Sequence, residues 1–190
     1  MTYAVIKVSG KSYIVPPRTL QLSRERTEVS MLSRKLMLLL TGHPGVGKTT
    51  ALMKAVESLR TRRGLKIGGM ITREVREGGK RIGFQIIDVG TGKVGWLARI
   101  DVSDGPRVGK YGVNLKDLEG VGVKALLEAM EKADLVVCDE IGPMELKSAA
   151  FRQVVSKLVN CDKPVLGTVH YRLAGNLPKE VSSHENLLGN

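Results

Sequence analysis

The sequence predicts an α/β fold: a mostly parallel sheet with an antiparallel insertion and helices on both faces. Three observations predict it. Short aliphatic runs at 36–40, 134–138 and 164–169 each end in a turn or a polar residue, as buried strands do. Stretches with apolar residues at helical spacing follow the first of these runs and flank the second. Between the first helix and the second run lies a group of extended segments punctuated by Gly-rich turns. Strand and helix in alternation argue for a parallel core, and the turn-linked segments for an antiparallel addition to it.

Taken in order, LMLLL at 36–40 is the first buried strand, and TGHPGVGKTT follows it. ALMKAVESLRTRR then carries Leu52, Val56 and Leu59 on one helical face. IGGMITREV is strand-like, and EGGK at 77–80 turns the chain into RIGFQIIDV. GTGK at 90–93 turns it again into VGWLARI, and VGKYGV at 108–113 is a further extended piece. Residues 115–132 hold a helix with Leu118, Ala125, Leu126, Ala129 and Met130 apolar, weakened early by Gly120 and Gly122. DLVVCDE is the second buried strand. Ser148 is an N-cap for AAFRQVVSKLVN, and PVLGTVH at 164–170 is the third buried strand. At the N-terminus YAVIKVSGKSYIV has the pattern of a hairpin, whereas the residues from Tyr171 onward are polar and aperiodic.

A chain of 190 residues suits one domain with one sizeable core, and 42% hydrophobic content places it with soluble globular proteins. Aromatics make up 4%, so aliphatic side chains must fill that core. No apolar run approaches the roughly 18 residues of a membrane span, so no membrane partner is expected. Cys138 and Cys161 match neither a disulfide framework nor a metal-binding spacing and read as reduced thiols of a cytoplasmic protein. The net charge of +11 favours anionic partners, nucleotides or nucleic acid. RNP-type aromatic pairs and zinc-finger spacings are absent, which leaves nucleic acid as compatible but not required.

Gly42 to Thr49, GHPGVGKT, satisfies G-x-x-x-x-G-K-[ST], the Walker A phosphate loop (P-loop), with a strand before it and a helix after it. Gly45 and Gly47 let the backbone N–H groups converge on phosphate oxygens, and the helix beginning near Lys48 adds its positive end. Lys48 is expected to reach the β- and γ-phosphates, and the Thr49 hydroxyl to ligate Mg²⁺. His43 occupies a variable position of the loop and gets no catalytic role. Asp139, first after the apolar run, is the Walker B-type carboxylate that meets Mg²⁺ through water from the strand tip beside the loop. Glu140 next to it is placed to orient a water toward the γ-phosphate. DEIG at 139–142 also fits the D-x-x-G of GTPases, but NLKD at 114–117 has the letters of a guanine reader in the wrong order. Nothing selects a base, so broad nucleoside-triphosphate use is expected.

Several linked blocks resemble the small P-loop nucleoside-triphosphatases of thermophilic type: GHPGVGKTT, GGMITREVREGGKRIGFQIIDV, LAR, VGKYGV, LVVCDEIGPMELKSAAF and VLGTVH. The resemblance covers about residues 36–170. It implies a RecA-like sheet, Mg²⁺ as cofactor, and hydrolysis of ATP, GTP and other nucleoside triphosphates to the diphosphate and phosphate. It carries nucleotide contacts to Gly42, His43, Pro44, Gly45, Val46, Gly47, Lys48, Thr49 and Thr50. A second set falls on Leu135, Val136, Val137, Cys138, Asp139, Glu140, Ile141 and Gly142. The domain organisation expected is an N-terminal extension over 1–34, a P-loop domain over 35–170, and an atypical polar tail over 171–190. Because the resemblance begins just after Met31, that residue is a candidate start and residues 1–30 a dispensable arm.

Phosphoryl transfer benefits from an extra cation at the γ-phosphate. Arg73, Arg76, Arg81, Arg99 and Arg107 all lie in the middle of the chain, with Arg99 and Lys110 the preferred catalytic pair. His170, ending the strand after DEIG, is a candidate γ-phosphate sensor, and Glu145 a support for the DEIG loop. Trp96 reads as a core residue rather than a base platform. The leading function is Mg²⁺-dependent nucleoside-triphosphate hydrolysis by a monomer or weak oligomer. A nucleotide or nucleoside kinase and a nucleotide-switched nucleic-acid-binding module are the alternatives.

Overall fold

Both faces of the strand that leads into the phosphate loop are covered, which is why its sequence is apolar without a break. The computed structural model describes residues 3–8, 11–15 and 36–174. Strand β3 (Leu36–Thr41) sends Met37 and Leu39 into the larger core and packs Leu40 against the smaller one. Two further strands precede it, β1 (Tyr3–Val8) and β2 (Lys11–Val15). Helix α1 (Lys48–Arg63) follows the loop and buries Leu52 and Val56 on the smaller core, where Ile67, Leu135 and Val137 meet them.

The insertion comprises β4 (Ile67–Glu77), β5 (Lys80–Asp88), β6 (Val94–Arg99), β7 (Arg107–Val108) and β8 (Tyr111–Val113). The helix expected over 115–132 is divided into α2 (Leu115–Asp117), a π-helical stretch Leu118–Val123, and α3 (Lys124–Lys132). Gly120 and Gly122 fall in the π-helical part, where weak helix propensity permits the wider turn. Then come β9 (Leu135–Ile141), α4 (Ala149–Asn160) and β10 (Val165–Val169). Ser148 caps α4 as expected, its side chain accepting from the Phe151 N–H. Phe151, Val155 and Leu158 of α4 and Leu126 of α3 fill the larger core from the face opposite α1.

The strand order is β2-β1-β3-β10-β9-β4-β5-β6-β8-β7. Strands β3, β10, β9 and β4 are mutually parallel, so their C-terminal ends share one edge of the sheet. All other pairings are antiparallel. The sheet is therefore mixed, and its parallel part is smaller than "mostly parallel" suggests, because the insertion and the N-terminal hairpin each add antiparallel strands. The strand beside the phosphate loop is also not β9: β10 lies between β3 and β9. Of the extension expected over 1–34, β1 and β2 extend the sheet beyond β3; its other residues lie outside the described ones. Residues 175–190 of the expected tail also lie outside them.

Two features of β9 position the site. Val136 and Cys138 face the larger core while Leu135 and Val137 face α1, the alternation of a regular strand. Ile141 is again in the larger core, so two residues rather than one intervene after Cys138. The pairing with β10 slips there: Cys138 is opposite Gly167, and Ile141 opposite Val169. This bulge turns Asp139 and Glu140 both away from the larger core instead of onto opposite faces. On the other side Gly69 of β4 pairs with Val137 at φ 116°, and a Cβ there would lie 2.0 Å from the Val137 oxygen.

Gly69→Ala is accordingly expected to combine positive-φ strain with overpacking against β9, a loss of about 3 kcal/mol. Urea unfolding of the two proteins measures it; a midpoint within error of the unsubstituted protein would contradict the packing described.

Candidate functional site

Within the phosphate loop the Val46 N–H donates to the His43 oxygen at 3.4 Å, and no side chain takes up the donors at the start of α1. Gly47 adopts φ 87° at the N-cap of α1, a conformation that favours glycine, and no side chain caps the helix. No acidic residue occupies the first turn either. The unpaired amides and the helix dipole therefore make this terminus a ready anion site. Lys48, half-buried, donates from Nζ to the Gly42 oxygen at 3.1 Å, folding back over the loop.

Opposite the loop stand the carboxylates. Asp139 is 1% exposed, and its Oδ1 accepts from the Thr168 hydroxyl of β10. Burial pushes its pKa up, while the Thr168 and Thr49 hydroxyls and the Lys48 charge pull the other way. Glu140 is half-buried; burial raises its pKa, the Lys48 charge lowers it, and the Asp139 charge adds to the rise. Among the described residues three buried side-chain oxygens lack a hydrogen-bond partner: Thr41 Oγ1, Asp139 Oδ2 and Glu140 Oε1. All three sit at the C-terminal ends of β3 and β9, the edge from which the phosphate loop springs. Native proteins leave few such atoms, and each calls for a physical explanation.

Glu145 closes the back of the site. It begins a 3₁₀ turn, Glu145–Lys147, and is 4% exposed. Burial raises its pKa to about 8; its own N–H and that of Gly142 oppose the rise, and the charges of Glu140 and Asp139 add to it. Burial likewise pushes the Cys138 thiol well up, so Cys138 is a packing residue.

His170, the candidate sensor, directly follows β10, and its N–H donates to the Ile141 oxygen at 3.0 Å. Burial lowers its pKa, as do the charges of Lys48 and Arg172. Its ring lies 4.6 Å from that of Tyr171, whose other neighbour is the His43 ring at 4.7 Å. The structure therefore brings Lys48, Thr49, Asp139, Glu140 and His170 together. It also places Thr168, Tyr171 and Arg172 with them, none of which the sequence analysis singled out. Their only signal was position at the end of a strand whose neighbours were unknown.

Arg99 and Lys110 are not brought to the loop. Arg99 ends β6, three strands from β9 and so about 14 Å aside. Its Nε and Nη2 donate to the two Asp101 carboxylate oxygens at 2.7 Å, and its Cζ stacks 4.4 Å from the Trp96 ring. Lys110 lies in the β7–β8 turn, 5.5 Å from the Tyr111 ring. Both belong to the outer part of the insertion, on the far side of β4 and β5 from β9. Trp96 is half-buried under Arg99 rather than a free base platform. NLKD serves structure: Asn114 accepts from the Asp117 N–H, and Asp117 Oδ2 from the Trp96 N–H.

The model of the NTPase family matches residues 37–188, most of the chain and all of the site. The chain belongs to the NTPase family. Among relatives, it is 55% identical over 134 residues to the nucleoside-triphosphatase THEP1 of Thermofilum pendens, covering 70% of this chain and 73% of that one. It is 53% identical over 135 residues to the Methanosarcina barkeri protein of the same name, covering 71% and 76%. Two solved NTPase structures are similar. THEP1 from Aquifex aeolicus superposes with a TM-score of 0.63 at 35% identity, over 74% of this chain and 80% of that one. A human cancer-related nucleoside triphosphatase gives 0.57 at 31%, over 76% and 96%. The α/β NTPase fold expected from the sequence is therefore shown. No helix among the described residues is long and apolar enough to cross a membrane.

The raised pKa of Glu145 carries a stability consequence. Between about pH 4.5 and about 8 the folded chain holds a proton on Glu145 that the unfolded chain has released, so this group's stabilisation falls as pH rises through that window. Glu145→Gln is expected to flatten the decline in urea midpoint from pH 5 to pH 8. An unchanged pH dependence would contradict the assignment.

Proposed function

We propose that the chain is a Mg²⁺-dependent nucleoside-triphosphatase, hydrolysing ATP, GTP, CTP, UTP and TTP to the diphosphate and phosphate. The observation that carries this reading is the convergence of three unpartnered buried oxygens on an uncapped, glycine-entered helix terminus. The names of the relatives support it.

Mg²⁺ fits the residues present. Asp139 Oδ2 and the Thr49 hydroxyl are hard oxygen donors, and Oδ2 has no other partner. No group of three or more His, Cys, Asp or Glu among the described residues forms a metal cage, and Mg²⁺ in such sites takes one or two protein ligands plus phosphates and water. Asp139 and Thr49 would hold it, and when bound it neutralises charge on the β- and γ-phosphates.

Lys48 leaves the Gly42 carbonyl to reach the phosphates, and the α1 amides hold their oxygens. Glu140 Oε1, unpartnered and beside Lys48, accepts a hydrogen bond from a water and aims its oxygen at the γ-phosphorus. The water oxygen bonds to phosphorus as the bond to the β–γ bridging oxygen breaks, and the diphosphate leaves with that electron pair. The water proton passes by way of Glu140 to phosphate or solvent. With no base reader in the sequence, we assign broad base specificity. Two unpaired cysteines support a cytoplasmic location, and we take the active form to be a monomer or weak oligomer.

Phosphate release measured across the nucleoside triphosphates tests this. Glu140→Gln should keep nucleotide affinity while kcat falls about 100-fold or more, and Lys48→Ala should lose affinity itself. Unchanged release in Glu140→Gln would remove the assigned role, and label transfer from γ-phosphate only to an added acceptor would make the protein a kinase.

A further inference from the structure

With Arg99 and Lys110 elsewhere, Lys48 is the one cation so far placed at the phosphates, facing Asp139 and Glu140. A loose phosphoryl transition state gathers charge on the equatorial γ-oxygens, where a guanidinium supplied in cis is worth several orders of magnitude in rate. The turn after β10 holds one. Arg172 donates from Nε to the Tyr171 hydroxyl at 2.9 Å, with its Cζ 5.5 Å from the ring centroid. The Tyr171 ring has two imidazoles as neighbours, His43 from the phosphate loop and His170 just after β10. It is thus a post that carries a cation, not an open platform for a base.

The turn itself is fixed. Leu173 N–H donates to the His170 oxygen at 2.9 Å, and Arg172 N–H to His170 Nδ1 at 3.4 Å. Leu173 and Ala174 pack on the larger core. Lys48 and Arg172 both act on His170 electrostatically, which places it within reach of both charges. Of the other candidate arginines, Arg76, Arg81 and Arg99 are each paired with a carboxylate, while Arg73 donates to Gln85 Oε1 and Arg107 to the Lys110 oxygen, both within the insertion. Among the described residues Arg172 is paired with none, so its charge remains available to an anion.

We propose that Arg172, held on Tyr171 beside His43 and His170, is the arginine that contacts the γ-phosphate in the transition state. This rests on the hydrolase reading above and names a residue that reading lacks. Release of the hydrogen bond to Tyr171 and a rotation of the exposed side chain bring the guanidinium to the phosphate, where its fork matches two oxygens.

Steady-state phosphate release and two affinities test it, one for a non-hydrolysable triphosphate and one for the diphosphate with aluminium fluoride. Arg172→Ala should lower kcat about 100-fold and weaken the fluoride complex in parallel. Affinity for the non-hydrolysable triphosphate should change by less than about 3-fold. Arg172→Lys, which keeps charge and turn, should recover only part of kcat because it lacks the planar fork. Wild-type turnover in either variant, or equal loss of both affinities, would overturn the proposal while leaving the hydrolase reading intact. Absence of phosphate release from the unsubstituted protein would instead overturn that reading, and this proposal with it.

Discussion

Carboxylates held out of water at the tip of one strand are the constraint on which the rest of the structure depends. Asp139, Glu140 and Glu145 crowd the end of β9, and for all three burial is the largest influence on ionisation. A buried charge is expensive unless it is paired and hydrogen-bonded. Here the fixed compensation is thin: one Thr168 hydroxyl, the nearby Thr49 and the Lys48 charge. Asp139 Oδ2 and Glu140 Oε1 are buried without a hydrogen-bond partner. On the proposed function a nucleotide with its cation would supply what is missing, and the site would be destabilising until filled, as binding sites commonly are.

The fold is arranged to hold that pair. Placing β10 between β3 and β9 brings Thr168 to Asp139 and His170 to the Ile141 carbonyl. The bulge opposite β10 then turns both carboxylates off the larger core. Gly69 lets β4 close against the other side of β9, and Phe151 and Val155 of α4 support it from the larger core. Beyond Met70 the insertion stands apart from this work. Its β4–β5 arm runs seven residues, Ile71–Glu77, past the last β4 pairing with β9, about 23 Å beyond the parallel core.

Local chemistry was legible in the sequence, and placement across the sheet was not. GHPGVGKT, the strand ending in Asp139–Glu140, the Ser148 cap and the hairpin turns each depend on neighbours a few residues away. They appear where expected. Glu145 was legible for a related reason: its partner Gly142 is three residues back. Thr168, Tyr171 and Arg172 depend instead on β10 being the neighbour of both β3 and β9, a fact of strand order that no short window contains. Arg99 shows the converse. It belongs to one of the blocks that carry the resemblance but lies three strands from β9, with Asp101 two residues away to neutralise it.

The central claim is that the buried carboxylates cost stability in the empty protein and recover it when a nucleotide and Mg²⁺ fill the site. The thermal midpoint of Asp139→Asn, with and without Mg²⁺ and a non-hydrolysable nucleoside triphosphate, tests it most directly. Asparagine keeps the shape and can still accept from Thr168. The account predicts a higher midpoint than the unsubstituted protein when both are empty, and loss of most of the Mg²⁺-dependent rise on adding nucleotide. A lower midpoint when empty, or an undiminished Mg²⁺-dependent rise, would contradict it.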